Sequence, residues 1–300
     1  MKLTYNKEPL KVIKGKNKEI SIFSTDGDNI DPVVVKDFGD EWLKFKDFSE
    51  KEIDQIAKMY FDILDDNIIN KSTYALDIGC GTGRWTKHLS KRIGFIEAVD
   101  PSNAVLAADH LLGNIDNVRI AKASVETIPF NDETFDFAMS IGVLHHIPDT
   151  QKAMQDVVKK VKRGGYFYVY LYHNLEKRGL IFKTVFTISE GIRKMVCKFP
   201  PKIKRFSCDM LAVTTYMPFV LSGRALSAAG FKKLADKMPL NDYQDKSFFI
   251  IRNDALDKYG TTLEQRFSKE EVITLMENSG LHEIVVSPRS PFYHAVGRKF

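Results

Sequence analysis

Cysteine is scarce in this chain of 300 residues: Cys80, Cys197 and Cys208 are all it has. An odd, widely spaced set fits neither a disulfide framework nor a thiolate metal site. It points to free thiols in a reducing compartment, the cytoplasm. Proline and glycine number only 11 and 18, which excludes collagen-like and low-complexity chains. No run of about 18 uncharged apolar residues occurs, so no membrane-spanning helix is expected. Met1 to Lys18 is lysine-rich but has no apolar stretch, unlike a secretory signal. No compact group of histidines and carboxylates stands out, and no metal is expected.

What is present is core material. Apolar residues make up 44% and charged residues 28%, and phenylalanine alone contributes 21 side chains. That excludes a disordered chain. The net charge of +5 is mild and permits an anionic partner without demanding one. Its distribution is less even. Between Asn174 and Arg205 nine Lys/Arg face only Glu176 and Glu190, a local net of +7.

The first 35 or so residues alternate short β-like runs (Val12-Ile13, Ile20 to Phe23, Val33 to Val35) with polar turns. Ser49-Glu50-Lys51-Glu52 is a capping box that opens an amphipathic helix. From Tyr74 strands and helices alternate. Strands are expected at Tyr74–Ile78, Phe95–Val99, Val118–Ala123, Phe135–Ile141 and Tyr166–Tyr172, with helices between them. Continuous apolar strands between amphipathic helices predict an α/β fold with a parallel sheet covered on both faces. The rhythm stops for about 95 residues, where Leu180–Phe199 and Ser222–Met238 read as helices. It returns with a second capping box at Ser268-Lys269-Glu270-Glu271, a helix to Gly280, and strands His282–Ser287 and Phe292–Arg298. Pro288-Arg289-Ser290-Pro291 between those two strands suits a hairpin. The expected division is an N-terminal extended segment (1–48), a core (49–172), a substrate-facing insertion (173–267) and a C-terminal completion of the core (268–300).

The chemistry concentrates in Asp77-Ile78-Gly79-Cys80-Gly81-Thr82-Gly83, where the first core strand meets the first core helix. Glycines there let backbone approach a ligand closely. A dinucleotide site wants its third glycine where Arg84 stands. Asp77 beside the turn would repel a pyrophosphate but suits a cationic amine. Asp100, 21 residues past Gly79, can accept from both ribose hydroxyls. A ligand with an amino-acid cation, a ribose and no phosphate is S-adenosylmethionine (SAM).

The chain resembles the class I, Rossmann-like SAM-dependent methyltransferases of the small-molecule group. Ala75–Gly83, Glu97–Pro101, Ser124–Phe130, Phe135–Pro148 and Lys162–Tyr166 carry the resemblance, over about a third of the chain. It implies a doubly wound, mostly parallel seven-stranded sheet with an antiparallel last strand and a mainly helical insertion after strand 5. It implies SAM contacts from Asp77, Gly79, Cys80, Gly81, Gly83, Asp100, Pro101, Ser124, Val125, Ser140 and Ile141. At Ser124 the family usually has Asp; a hydroxyl accepts more weakly. Looser matches at Phe38–Trp42 and Leu256–Tyr259 resemble a subgroup common in glycan and cell-surface biosynthesis. They add Trp42, Asp257 and Tyr259 as acceptor-contact candidates.

His145 and His146 are candidate proton acceptors. Tyr172 and His173, at the mouth of the sheet, are candidates for acceptor contact. Together these features predict methyl transfer to O or N of a small polar acceptor, which an anionic or sugar-containing compound would satisfy. An RNA methyltransferase is the alternative, favoured by the basic stretch. It is disfavoured by the lack of an RNA-binding module and of an Asn/Asp-Pro-Pro-aromatic motif after the fourth strand. A catalytically silent SAM-binding protein is a third reading; DNA is not an expected partner. The basic, half-apolar segment 180–199 reads as a solvated face, as a contact for an acidic acceptor or as a peripheral membrane contact.

Overall fold

The computed structural model describes residues 3–44, 48–174, 180–289 and 293–300. Lys177, Arg178 and the 290–292 part of the expected turn and strand lie outside them. The chain forms two compact units, Met1–Leu175 with Leu263–Phe300, and Glu176–Thr262.

The first unit is built on nine strands: β1 (Lys11–Lys14), β2 (Glu19–Ile22), β3 (Tyr74–Ile78), β4 (Phe95–Asp100), β5 (Val118–Lys122), β6 (Phe135–Ile141), β7 (Val161–Tyr170), β8 (Leu281–Val286) and β9 (His294–Lys299). Their order is β1-β2-β5-β4-β3-β6-β7-β9-β8. The five strands from β5 to β7 run parallel, and β9 is antiparallel to both its neighbours. This is the expected seven-stranded core, widened by two strands. Ile20 stands opposite Ile120, so β2 joins the sheet parallel to β5, and β1 folds back on β2. The N-terminal runs thus cover what would be an open edge of the core.

The helices are α1 (Pro32–Trp42), α2 (Glu50–Tyr60), α3 (Arg84–Ser90), α4 (Val105–Leu112), α5 (Thr150–Lys160) and, from the C-terminal segment, α11 (Lys269–Glu277). Every residue of β3 is buried. Leu76 and Ile78 face a core shared with α5 and α11, and Ala75 faces one shared with α2, α3 and α4. Alternation along one strand therefore feeds both layers. The Ser49 and Ser268 boxes close as expected, each serine accepting from the amide three residues on.

Val33–Val35 is not a strand. Asp31 accepts from the amides of Val33 and Val34, and Pro32 sits at the first helical position, so capping outweighs β-branched propensity and α1 forms.

The second unit is helical: α6 (Leu180–Val196), α7 (Pro201–Leu211), α8 (Met217–Ala228), α9 (Lys232–Ala235) and α10 (Phe248–Gly260), with a π-helical turn at Ala212–Tyr216. The single helix expected over Ser222–Met238 is two, parted at Gly230, whose φ is +87°. The unit has its own core of Val196, Cys208, Ala212, Tyr216, Val220, Ile251, Ala255 and Tyr259. Arg252 clasps Asp209 across it with two bonds of 2.8 and 2.6 Å.

Candidate active site

The C-terminal ends of β3, β4 and β6 meet at the glycine turn. Gly79, Gly81 and Gly83 all have positive φ (73°, 53° and 80°), a region L side chains rarely adopt. The amides of Gly79 and Cys80 both donate to Val99 O (2.8 and 3.1 Å), folding the turn against β4. A Cβ on Gly79 would lie 2.4 Å from Val143, and one on Gly81 would lie 3.4 Å from the Trp42 indole nitrogen. Trp42, at the end of α1, therefore covers the turn, with the Arg84 guanidinium 5.3 Å from its ring centre. Gly39 brings the same helix close to Ser102 and Asn103.

Two carboxylates flank the turn. Asp77 is buried, and Thr86 Oγ1 donates to its Oδ2 at 2.5 Å. Burial, with a smaller push from the Asp100 charge, raises its pKa from 3.8 to about 7. Asp100 Oδ2 accepts from the Gly81 amide (2.9 Å), and Oδ1 accepts from the Ser102 amide (2.8 Å) and hydroxyl (2.6 Å). Oδ2 keeps a lone pair, and the carboxylate is locked to the turn. A groove of about 420 Å³ opens beside Pro101, Ser102 and Asn103, bounded by Gly39 and Asp40 of α1 and by Lys122.

Other candidates serve the scaffold visibly. Ser140 Oγ donates to Ile78 O (3.1 Å), tying β6 to β3. Ser124 pairs its hydroxyl with Thr127 (3.0 Å) at a short turn that Val125 opens. Burial pushes the Cys80 thiol well above its usual pKa, so it packs as a neutral group. Ile141 is buried at the end of β6.

The two histidines differ. His146 Nδ1 is paired with Leu263 O at 2.7 Å, and its ring lies 4.9 Å from Phe38. His145 has no solvent exposure, and neither ring nitrogen has a hydrogen bond among the described residues. Its ring stacks 4.0 Å from Tyr172, and burial drives its pKa well below 6.5. It is a neutral, dry imidazole two residues from Val143, the side chain lying on Gly79. Tyr172 also receives the Arg266 guanidinium at 5.4 Å. His173 bridges to Phe267 through backbone, and its ring lies 6.0 Å from Tyr293. Asp257 and Tyr259 belong to the second unit, where Tyr259 is buried and accepts from Ser189 at 3.2 Å.

Sequence reading missed several partners: Thr86, which holds Asp77; Ser102, which orients Asp100; and the pair of His294 and Asp62 (2.6 Å), whose other oxygen accepts from Ser287 (2.9 Å). Ser102 had a signal, since a small hydroxyl follows Asp100 by two residues, whereas Thr86 comes nine residues after Asp77, across the glycine turn. The Asp62–His294 pair, 232 residues apart in sequence, had none.

Residues 76–169 match the family model described as a methyltransferase domain. Residues 76–169 carry a methyltransferase domain. This methyltransferase domain is shared with demethylmenaquinone methyltransferases of Staphylococcus aureus strains, 32% identical over 108 residues, which is 34% of this chain and 44% of theirs. The chain thus spans less than half the length of those relatives. Human N-acetylserotonin methyltransferase, solved with SAM bound, shares the fold at a TM-score of 0.51 and 12% identity, over 87% of this chain and 56% of that one. A SAM-dependent methyltransferase of Thermotoga maritima aligns at 0.43 and 18%, over 87% and 94%. SAM is the cofactor of the class, and the turn fits it. A buried carboxylate with one oxygen, Oδ1, making no hydrogen bond among the described residues, a second carboxylate held by backbone, and a side-chain-free bend suit a cationic adenosyl ligand. No described group of His, Cys, Asp and Glu could hold a metal ion, and no described helix is long and apolar enough to cross a membrane.

Proposed function

We propose that the protein transfers a methyl group from SAM to an oxygen or nitrogen of a small polar acceptor. The observation that carries this reading is the pair Asp77 and Asp100 fixed around the glycine turn. SAM, when bound, supplies a methyl group made electrophilic by its sulfonium. Asp77 pairs with the amino-acid cation; its proton leaves as that cation arrives. Asp100, oriented by Gly81 and Ser102, accepts from one ribose hydroxyl through Oδ2 and from the second at Oδ1 if the Ser102 hydroxyl turns away. The groove beside Pro101 suits the nucleoside end, and Trp42 screens the turn from water. His145, closed off from solvent under Tyr172 in this structure, takes the acceptor's hydrogen bond once that ring gives way. So weak a base suits a hydroxyl that is itself acidic, or a proton that leaves after the new bond forms. Tyr172 and His173 are proposed to line the acceptor's place.

The test is incubation of the purified chain with methyl-labelled SAM and fractionated extract of the source organism, with demethylmenaquinone added to the panel because the S. aureus relatives are named for it. Label should enter one fraction. Calorimetric SAM binding with no label transferred to any fraction would point to a silent binding protein instead. The insertion is proposed to choose the acceptor: replacing 173–267 by a relative's segment should change the labelled fraction and spare SAM binding.

A further inference from the structure

The second unit is apolar on two sides. On α7 the inner side carries Cys208 and leads on to Ala212 and Tyr216 in the unit's core. Along the other side Ile203, Phe206, Met210 and Val213 recur at intervals of three and four, one helical stripe. That stripe is exposed, Ile203 at 53% and Phe206 at 66%. Before it on α6, Ile188 and Met195 repeat seven residues apart, also exposed. Farther on, Phe231 (61%) and Leu234 bracket the exposed pair Lys232 and Lys233. Among the described residues, eleven of the eighteen large exposed apolar side chains belong to this unit. Single exposed apolar residues need no explanation, but stripes along successive helices do.

Charge identifies what covers them. Residues 176–262 hold sixteen Lys/Arg against eight Asp/Glu, a net of +8. Exposed Lys194, Lys198 and Lys202 stand beside the apolar stripes, and Lys232, Lys233 and Lys237 surround the Phe231–Leu234 pair. A second copy seated on this face would set cation against cation. A nucleic acid would satisfy the lysines and leave Ile203, Met210 and Leu234 in water. An anionic lipid surface satisfies both, because aliphatic and phenyl side chains enter the acyl boundary while lysines reach headgroup phosphates.

We propose that the second unit is a docking face for anionic bilayers, with the stripe Ile203–Phe206–Met210–Val213 and the Phe231–Leu234 segment entering the lipid surface. The proposal is independent of methyl transfer, since vesicle binding and SAM binding are measured separately. The test is flotation of the full chain with vesicles of phosphatidylcholine alone or with about a third phosphatidylglycerol, at low and at high salt. Binding is expected to the anionic vesicles at low salt and to fall with salt. The pair Ile203→Ser and Phe206→Ser should weaken it at least about tenfold. The pair Lys232→Gln and Lys233→Gln should weaken it about fivefold per charge removed, without touching a packed residue. Every variant should retain SAM binding. Failure to float with anionic vesicles at low salt overturns the proposal. So does binding that neither pair weakens, retention by RNA in place of vesicles, or a dimer in light scattering that the Ile203/Phe206 pair dissolves. If the apolar pair does not fold, the lysine pair decides alone.

Discussion

Residues 176–262 carry twice as many cations as anions, sixteen against eight, whereas the rest of the chain carries 28 against 31. Apolar surface divides the same way. In the first unit β3 is wholly buried and its two faces feed two cores, so the strand's hydrophobicity is spent inside. In the second unit α7 buries one apolar side and presents another. The first unit buries Asp77 and Asp100 beside the glycine turn, which favours a cationic ligand; the second exposes Lys194, Lys198, Lys202, Lys232, Lys233 and Lys237, which favour an anionic one. A methyl donor that is a small cation and a surface that is a broad anion make opposite electrostatic demands. Placing them on separate units lets each be met without compromising the other.

That separation can be broken most sharply at the glycine turn. Gly79→Ala forces an L side chain to φ +73° and drives its Cβ into Val143. The strain and overlap together should cost about 2–4 kcal/mol, and displacement of the turn should weaken SAM binding about a hundredfold. Calorimetry with SAM measures it. The Ile203/Phe206 serine pair should leave the same affinity within about twofold. If it weakens SAM binding as much as Gly79→Ala does, the two units are not separate in function.

The next effect sharpens the comparison within the first unit. His145→Gln keeps a hydrogen-bonding side chain but removes the imidazole, and should lower kcat about a hundredfold while KM for SAM stays put. His146→Gln should do much less to kcat, because that ring is already committed to Leu263 O. Equal losses from both, read from kcat in a labelled-methyl assay, would remove His145 from the chemistry. Below these, Asp100→Asn keeps shape and loses charge. SAM affinity should fall about tenfold: the amide oxygen keeps the bonds from Ser102, while the amide nitrogen, a donor, gives up the bond from Gly81.

The contrast between the units also shows what the chain declares in advance. The β3, β4 and β6 strands were legible because contiguous apolar runs end on Asp77, Asp100 and a glycine turn, local features with one physical reading. The pairing of β2 with β5 was not, because register between strands 100 residues apart is written in packing rather than in spacing. Val33–Val35 misled because three β-branched residues outweigh, by count, the single Asp31 cap and Pro32 that decide the matter. In the second unit, amphipathic periodicity announced α6, but α8 and α9 share apolar residues on several sides, so the period blurs and Gly230 sets the break. Nor does the sequence show that His145 is dry and unpaired while its neighbour is not. Burial of a histidine follows from what Tyr172 and Leu263 bring to it from elsewhere in the chain.

The smallest expected effect concerns the proton on Asp77. Burial raises its folded pKa to about 7, above the ordinary 3.8, so the stability it contributes is full below pH 4 or so and is lost as pH rises through 7. An arriving ammonium reverses that balance: it favours the carboxylate and expels the proton. SAM affinity should therefore rise about twofold from pH 6.5 to 7.5: the ionised fraction of Asp77 grows about threefold, while the ligand's own ammonium, with an ordinary pKa near 8, starts to lose its proton. At pH 7 the binding enthalpy should vary with the ionisation enthalpy of the buffer, corresponding to about half a proton released per SAM bound. Asp77→Asn should abolish the buffer dependence along with most of the affinity, and Lys232→Gln with Lys233→Gln should leave it untouched. Should the wild-type enthalpy prove independent of buffer at pH 7, Asp77 is already ionised without ligand. The crevice would then owe its preference for a cation to standing charge rather than to a carboxylic acid waiting for one.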